Sequence, residues 1–180
     1  MFVKKLLTAS LITTGGFLTP VQAAGRPNIV LFMVDDMGWQ DTSVPFWSQR
    51  TLYNDLCHTP NLERLASQGV KFTNAYACAV STPTRTSLMT GMNAARHRVT
   101  NWTLNYNTPT DAADTQLAFP SWNFNGLQPD GAQVPNSIAA TTLAQILKEN
   151  GYHTMHTGKG HWGARATAGA NPLNLGFSGG

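Results

Sequence analysis

The stretch Asn28-Ile29-Val30-Leu31-Phe32-Met33-Val34-Asp35-Asp36-Met37-Gly38 sets the expectation for the fold. An apolar, partly β-branched run this short, closed by two carboxylates and a glycine, reads as a strand buried on both faces, as in a parallel sheet. Further along, Thr59-Pro60-Asn61-Leu62-Glu63-Arg64-Leu65-Ala66-Ser67-Gln68-Gly69 predicts a helix. Thr59 serves as N-cap, Pro60 takes the first position, Leu62 and Leu65 share a face, and Gly69 ends it. Residues 70–76 alternate like a strand. A second helix is predicted from Ser81-Thr82-Pro83 to Thr90 with Gly91 as its stop, and a third over about 137–150, closed by Gly151. Residues 152–157 read as a strand leading into Gly158-Lys159-Gly160-His161-Trp162-Gly163. Strands alternating with helices predict an α/β fold with a mainly parallel sheet flanked by helices. Residues 100–135, rich in Asn, Thr, Pro and Trp and without a sustained period, read as a long insertion of surface loops.

The chain has 180 residues, which bounds it to about one domain. Charged residues make up 12%, too few for a charged disordered tail, and two cysteines exclude a disulfide-stapled mini-protein. The formal charge is +3, from 12 basic and 9 acidic side chains. Residues 1–24 read as a secretory signal: Lys4 and Lys5 form its positive start, an interrupted apolar stretch follows, and Val21-Gln22-Ala23 supplies small residues for cleavage. Setting Lys4 and Lys5 aside leaves 10 basic against 9 acidic side chains with no basic stripe, so no nucleic-acid partner is expected. The apolar stretch is too short and interrupted to span about 30 Å of hydrocarbon, so no membrane span is expected in the mature chain, residues 25–180. Export to the periplasm or the extracellular space follows, where Cys57 and Cys78 either pair or remain buried thiols.

Three clusters fall at or just after the ends of predicted elements, where open α/β sheets gather their chemistry. Asp35-Asp36 is either a solvated acidic turn or a pair of oxygen ligands for a hard cation such as Ca²⁺ or Mg²⁺. Ser81-Thr82-Pro83-Thr84-Arg85 puts a hydroxyl at a helix start with an arginine one turn on. Alone it is an ordinary cap beside a surface arginine; in company it is a nucleophile at an anion-favouring helix terminus. Lys159-Gly160-His161 places a cation and a proton carrier on a Gly-flanked loop. Together the three clusters are equipment for attack on a tetrahedral anionic ester.

These residues resemble the N-terminal part of a type I, formylglycine-dependent sulfatase of the alkaline phosphatase superfamily. The matching stretches are Arg26-Pro27-Asn28-Ile29-Val30 with Asp35-Asp36-Met37-Gly38, Thr59-Pro60-Asn61-Leu62, Gly69-Val70-Lys71-Phe72-Thr73-Asn74-Ala75-Tyr76, Ser81-Thr82-Pro83-Thr84-Arg85 with Leu88-Met89-Thr90-Gly91, and Thr157-Gly158-Lys159-Gly160-His161-Trp162-Gly163. They cover most of residues 26–98 and 137–177 in the family's order. The signature is Cys or Ser, any residue, Pro, any residue, Arg; Cys78 does not start one, because Val80 stands where proline is required.

The resemblance implies that Ser81 is converted to Cα-formylglycine, whose hydrated aldehyde attacks sulfur before the hemiacetal collapses to release sulfate. It implies one Ca²⁺ held by Asp35, Asp36 and the modified Ser81. It assigns Arg85 to hold the formylglycine, and Lys159 and His161 to contact the sulfate or leaving group. A serine at this position implies a radical S-adenosylmethionine maturase acting before export. The implied substrate is a sulfated glycan or a small sulfate ester, and Trp102, Tyr106, Phe119, Trp122 and Phe124 of the insertion either stack on sugar rings or pin the loop. Arg96-His97 resembles a family pair read as structural. Thr84, Gly160 and Trp162 depart from the commoner family residues, which bears on the orientation of His161. Two other readings remain: a phosphatase or phosphodiesterase of the same superfamily using unmodified Ser81, and an inactive sulfatase-like fragment. Since intact sulfatases are much longer, the expectation is an incomplete catalytic domain whose further metal and substrate ligands lie downstream.

Overall fold

The computed structural model describes residues 25–180, so the expected signal segment, 1–24, lies outside the described residues. The chain divides into two units at Val34/Asp35. In the first, residues 25–34 form neither helix nor strand, and Val30 and Phe32 are 87% and 85% exposed. The doubly buried strand expected at 28–34 is therefore not formed. An apolar run becomes a strand only when neighbours satisfy its backbone groups and cover its faces.

The second unit, residues 35–180, opens with α1 (Leu52–Leu56) and α2 (Pro60–Gln68). Helix α2 has the predicted bounds: Pro60 at the first position, Thr59 as N-cap and Gly69 as C-cap. The Thr59 hydroxyl does not cap the helix; it pairs with Ser43 Oγ at 2.7 Å and accepts the Ser43 N–H at 2.9 Å, tying the helix start to the loop before it. Residues 70–76 are exposed and irregular rather than a strand, for the same want of ladder partners.

Helix α3 (Ser81–Thr90) runs as predicted, with Gly91 at φ 68° closing it by donating its N–H to Ser87 O. The left-handed φ is the reason glycine stands there. The short α4 (Ala94–His97) follows, its Asn93 cap accepting the Arg96 N–H. The sheet is small and parallel: β1 (Leu127–Gln128) beside β2 (Ile138–Ala139), with Leu127 opposite Ile138. Helix α5 (Leu143–Glu149) starts later than expected, because Ile138 and Ala139 join the sheet and Thr142 caps by accepting the Gln145 N–H. Two 3₁₀ turns, Ala168–Ala170 and Pro172–Leu175, complete the chain. The strand expected at 152–157 reduces to a parallel bridge between Met155 and Gly179.

Met89, Leu127, Ala140, Ala144, Trp162 and Leu175 form the core, with Met92, Ile138 and Phe177 packed against it. Residues 100–135 are thus more than surface loops. They carry β1, the fully buried Leu127, and Asn125 and Gln128, whose amides knit the interior. No period announced this, because a two-residue strand has none to show. Trp122 is buried and packs edge-on to Phe124, whereas Trp102, Tyr106 and Phe119 are exposed. Cys57 and Cys78 are both free thiols.

His97 is fully buried, accepts the Val99 N–H at Nδ1, and bonds Ser87 Oγ at 2.9 Å through Nε2. Burial lowers its pKa below the ordinary 6.5. A depressed histidine contributes stability above its unfolded value and loses it as pH falls through the folded one. Urea unfolding should therefore show a smaller loss of stability between pH 7.5 and 5 in His97→Gln than in the parent chain. An equal loss would remove His97 from the acid response.

Close approach decides two glycines differently. A Cβ on Gly169 would lie 1.8 Å from the Leu127 carbonyl oxygen, whereas one on Gly131, at φ 77°, would meet nothing. Gly169→Ala should cost more than about 3 kcal/mol in urea unfolding, against about 1–2 kcal/mol for Gly131→Ala.

Candidate active site

Helix α3 supplies two groups by its own period. Ser81 is its first residue and Arg85 lies one turn later, so Arg85 Nε donates to Ser81 Oγ at 2.9 Å. The N-cap is Val80, which offers no side-chain cap. Thr84 Oγ1 bonds the Val80 and Cys78 carbonyls and so holds the helix entry.

The Arg85 side chain is 8% exposed and reaches two further elements. Nη2 pairs with Asp35 Oδ1 at 2.9 Å, and Nη1 donates to the Lys159 carbonyl. Lys159 Nζ closes the ring on Asp35 Oδ2 at 2.5 Å. Asp35 thus faces two cations, and the Lys159 bond first, then the Arg85 bond, holds its pKa below the ordinary carboxylate value. Because Asp35 and Lys159 are each nearly half exposed, these pairs serve position more than stability.

His161 comes from the loop at 158–163. It adopts φ 54°, uncommon for a residue with a side chain, and Gly158 before it lies at φ 92°. Trp162 anchors the loop: it is 6% exposed and stacks with Phe177 at 5.7 Å, and its carbonyl accepts the Leu127 N–H at 2.9 Å. A Cβ on Gly160 would sit 2.9 Å from the Trp162 ring, so the unusual Gly-His-Trp order is self-consistent. The His161 ring then lies with Nδ1 3.2 Å from Ser81 Oγ and Nε2 2.9 Å from the Thr103 carbonyl. Burial, chiefly, lowers its pKa, with Lys159 and Arg85 adding to the effect. A carbonyl only accepts, so Nε2 carries the hydrogen, and in the neutral ring Nδ1 is left to accept from the serine hydroxyl.

Four of the predicted residues, Ser81, Arg85, Lys159 and His161, thus gather around Asp35. Asp36 follows in a left-handed turn at φ 57°, is exposed, and joins none of the site's hydrogen bonds. Asp35, Asp36 and Ser81 suit a hard cation in kind, since all three offer oxygen and Asp36 is uncommitted. They are fewer than such an ion takes, and among the described residues no three His, Cys, Asp or Glu side chains converge. The Thr103 carbonyl carried no sequence signal, because any residue presents one.

A hydroxyl at a helix start, held between an arginine and a histidine beside a lysine, is an arrangement for handling an oxyanion on an α/β scaffold. A sulfatase family model matches residues 27–179. The chain is 30% identical over 177 residues to an arylsulfatase of Klebsiella aerogenes, covering 97% of this chain and 32% of that protein. It is 34% identical over 143 residues to an N-acetylgalactosamine-6-O-sulfatase of Bacteroides thetaiotaomicron, covering 79% of this chain and 22% of that protein. To the human steryl-sulfatase it is 32% identical over 161 residues, covering 87% and 23%. The chain belongs to the sulfatase family, and it spans a third or less of the length of these relatives.

Arg85→Lys keeps the charge but cannot serve Ser81, Asp35 and the Lys159 carbonyl at once. Losing a charged hydrogen bond costs about 1.5–3 kcal/mol. Amide exchange at Leu127, whose N–H is bonded to the Trp162 carbonyl of this loop, should accelerate by on the order of tenfold to a hundredfold, with circular dichroism unchanged. Unaltered exchange there would mean that Arg85 does not hold the loop.

Proposed function

We propose that this chain carries the reacting end of a sulfate ester hydrolase, with Ser81 as the residue matured to formylglycine. Arg85 and His161 meet at Ser81 Oγ, with Asp35 and Lys159 joined to Arg85 beside them, and this cluster carries the reading. Formylglycine, once formed, supplies the nucleophile for sulfur. A bound Ca²⁺ would be held by Asp35, Asp36 and residue 81, and would neutralise charge on the ester oxygens.

The remaining roles belong to side chains in place. Arg85 Nε–H faces Oγ of residue 81 and stabilises negative charge there. His161 Nδ1 takes the proton from the same atom, because its Nε2 hydrogen is committed to Thr103. Lys159, 48% exposed, presents the cation that an incoming sulfate meets first. Asp35 keeps Arg85 and Lys159 together despite their like charge.

The substrate we favour is a sulfated carbohydrate. One relative bears the name of an N-acetylgalactosamine-6-O-sulfatase, and Trp102 and Tyr106, each about half exposed, flank Thr103 in the chain. Maturation is assigned to a serine-type radical S-adenosylmethionine enzyme, followed by export under a signal at residues 1–24; among the described residues no helix is long and apolar enough to cross a membrane. Mass spectrometry of the tryptic peptide containing Ser81 tests the reading. Coexpression with such a maturase should lower its mass by two hydrogens. An unchanged serine accompanied by phosphoesterase activity would replace the sulfatase reading with that of a phosphatase.

A further inference from the structure

Thr82 stands next to the reacting residue, fully buried on α3. Its Oγ1 accepts the N–H of Thr103 at 3.1 Å, across 21 residues of sequence. Thr103 is 1% exposed, and its own hydroxyl has no partner among the described residues. Its contribution to the site is therefore its backbone, held at the N–H by Thr82 and offered at the carbonyl to His161.

We infer that Thr82 is a positioning residue: by holding Thr103 it selects the Nε2–H tautomer of His161 and so presents an unprotonated Nδ1 to residue 81. The opposite tautomer would aim an N–H at Ser81 Oγ, which already receives Arg85 Nε–H. Its hydroxyl proton would then lose His161 as an acceptor. The second residue of the signature thereby sets the direction of proton transfer at the first. The functional meaning rests on reading residue 81 as the reacting residue; the hydrogen-bond relay does not.

The test is ¹⁵N NMR of the His161 ring in the full chain at pH 7.5, assigned by comparison with His161→Gln. In the parent chain Nε2 should show the shift of a protonated ring nitrogen and Nδ1 that of a bare one. Thr82→Ser keeps the acceptor and should keep both shifts. Thr82→Val keeps the branched shape without the acceptor and should draw the two shifts together, as both tautomers become populated. Thr82→Ala is read the same way if the valine variant does not fold. A hydrogen on Nδ1 in the parent chain overturns the inference, as do unmoved shifts in either folded variant that lacks the acceptor. Ser81 need not be modified for these shifts to be read, so failure of the maturation reading and failure of this one are distinguishable.

Discussion

One guanidinium holds the site together. Arg85 extends from α3 to a hydroxyl on its own helix, a carboxylate 50 residues earlier and a backbone carbonyl 74 residues later. A planar fork with five donors makes these contacts at once, and a lysine head does not. Sequestering such a cation from water is costly unless its donors are satisfied, and Asp35 supplies the neutralising charge. The same carboxylate accepts Lys159, so two cations meet on one side chain.

Around this hub the hydrophobic core does a second job. Met89 buries the inner face of α3, Leu127 pins β1, and Trp162 seats the loop that carries His161. The left-handed backbone at His161 is a local cost borne by that packing, as is common where a side chain must be aimed. Chemistry and core meet between adjacent residues: His161 faces the serine while Trp162 faces Phe177 and His156. Changes deep in the core are therefore coupled to the aim of the His161 ring.

Elements governed by local rules were legible. The bounds of α2 and α3 follow from Pro60, Gly69 and Gly91, since caps and breakers act within a few residues. Strands were misread at 28–34, 70–76 and 152–157, because a strand depends on partners that its own residues do not specify. The small parallel sheet arose instead at Leu127–Gln128 and Ile138–Ala139, inside or beside stretches read as loop and helix. His161 was singled out by type and spacing, and in the structure its Nδ1 lies 3.2 Å from Ser81 Oγ.

By itself the sequence determined the side chains available and the pairing of Ser81 with Arg85, because one helical turn brings residues four apart onto one face. It also determined the family, through the order of its motifs. Tertiary structure alone decided which carboxylate meets Arg85, which carbonyl meets His161, and which ring nitrogen is left to accept from Ser81. Those contacts span 50, 58 and 80 residues, and their partners are chosen by packing rather than by neighbourhood in the chain.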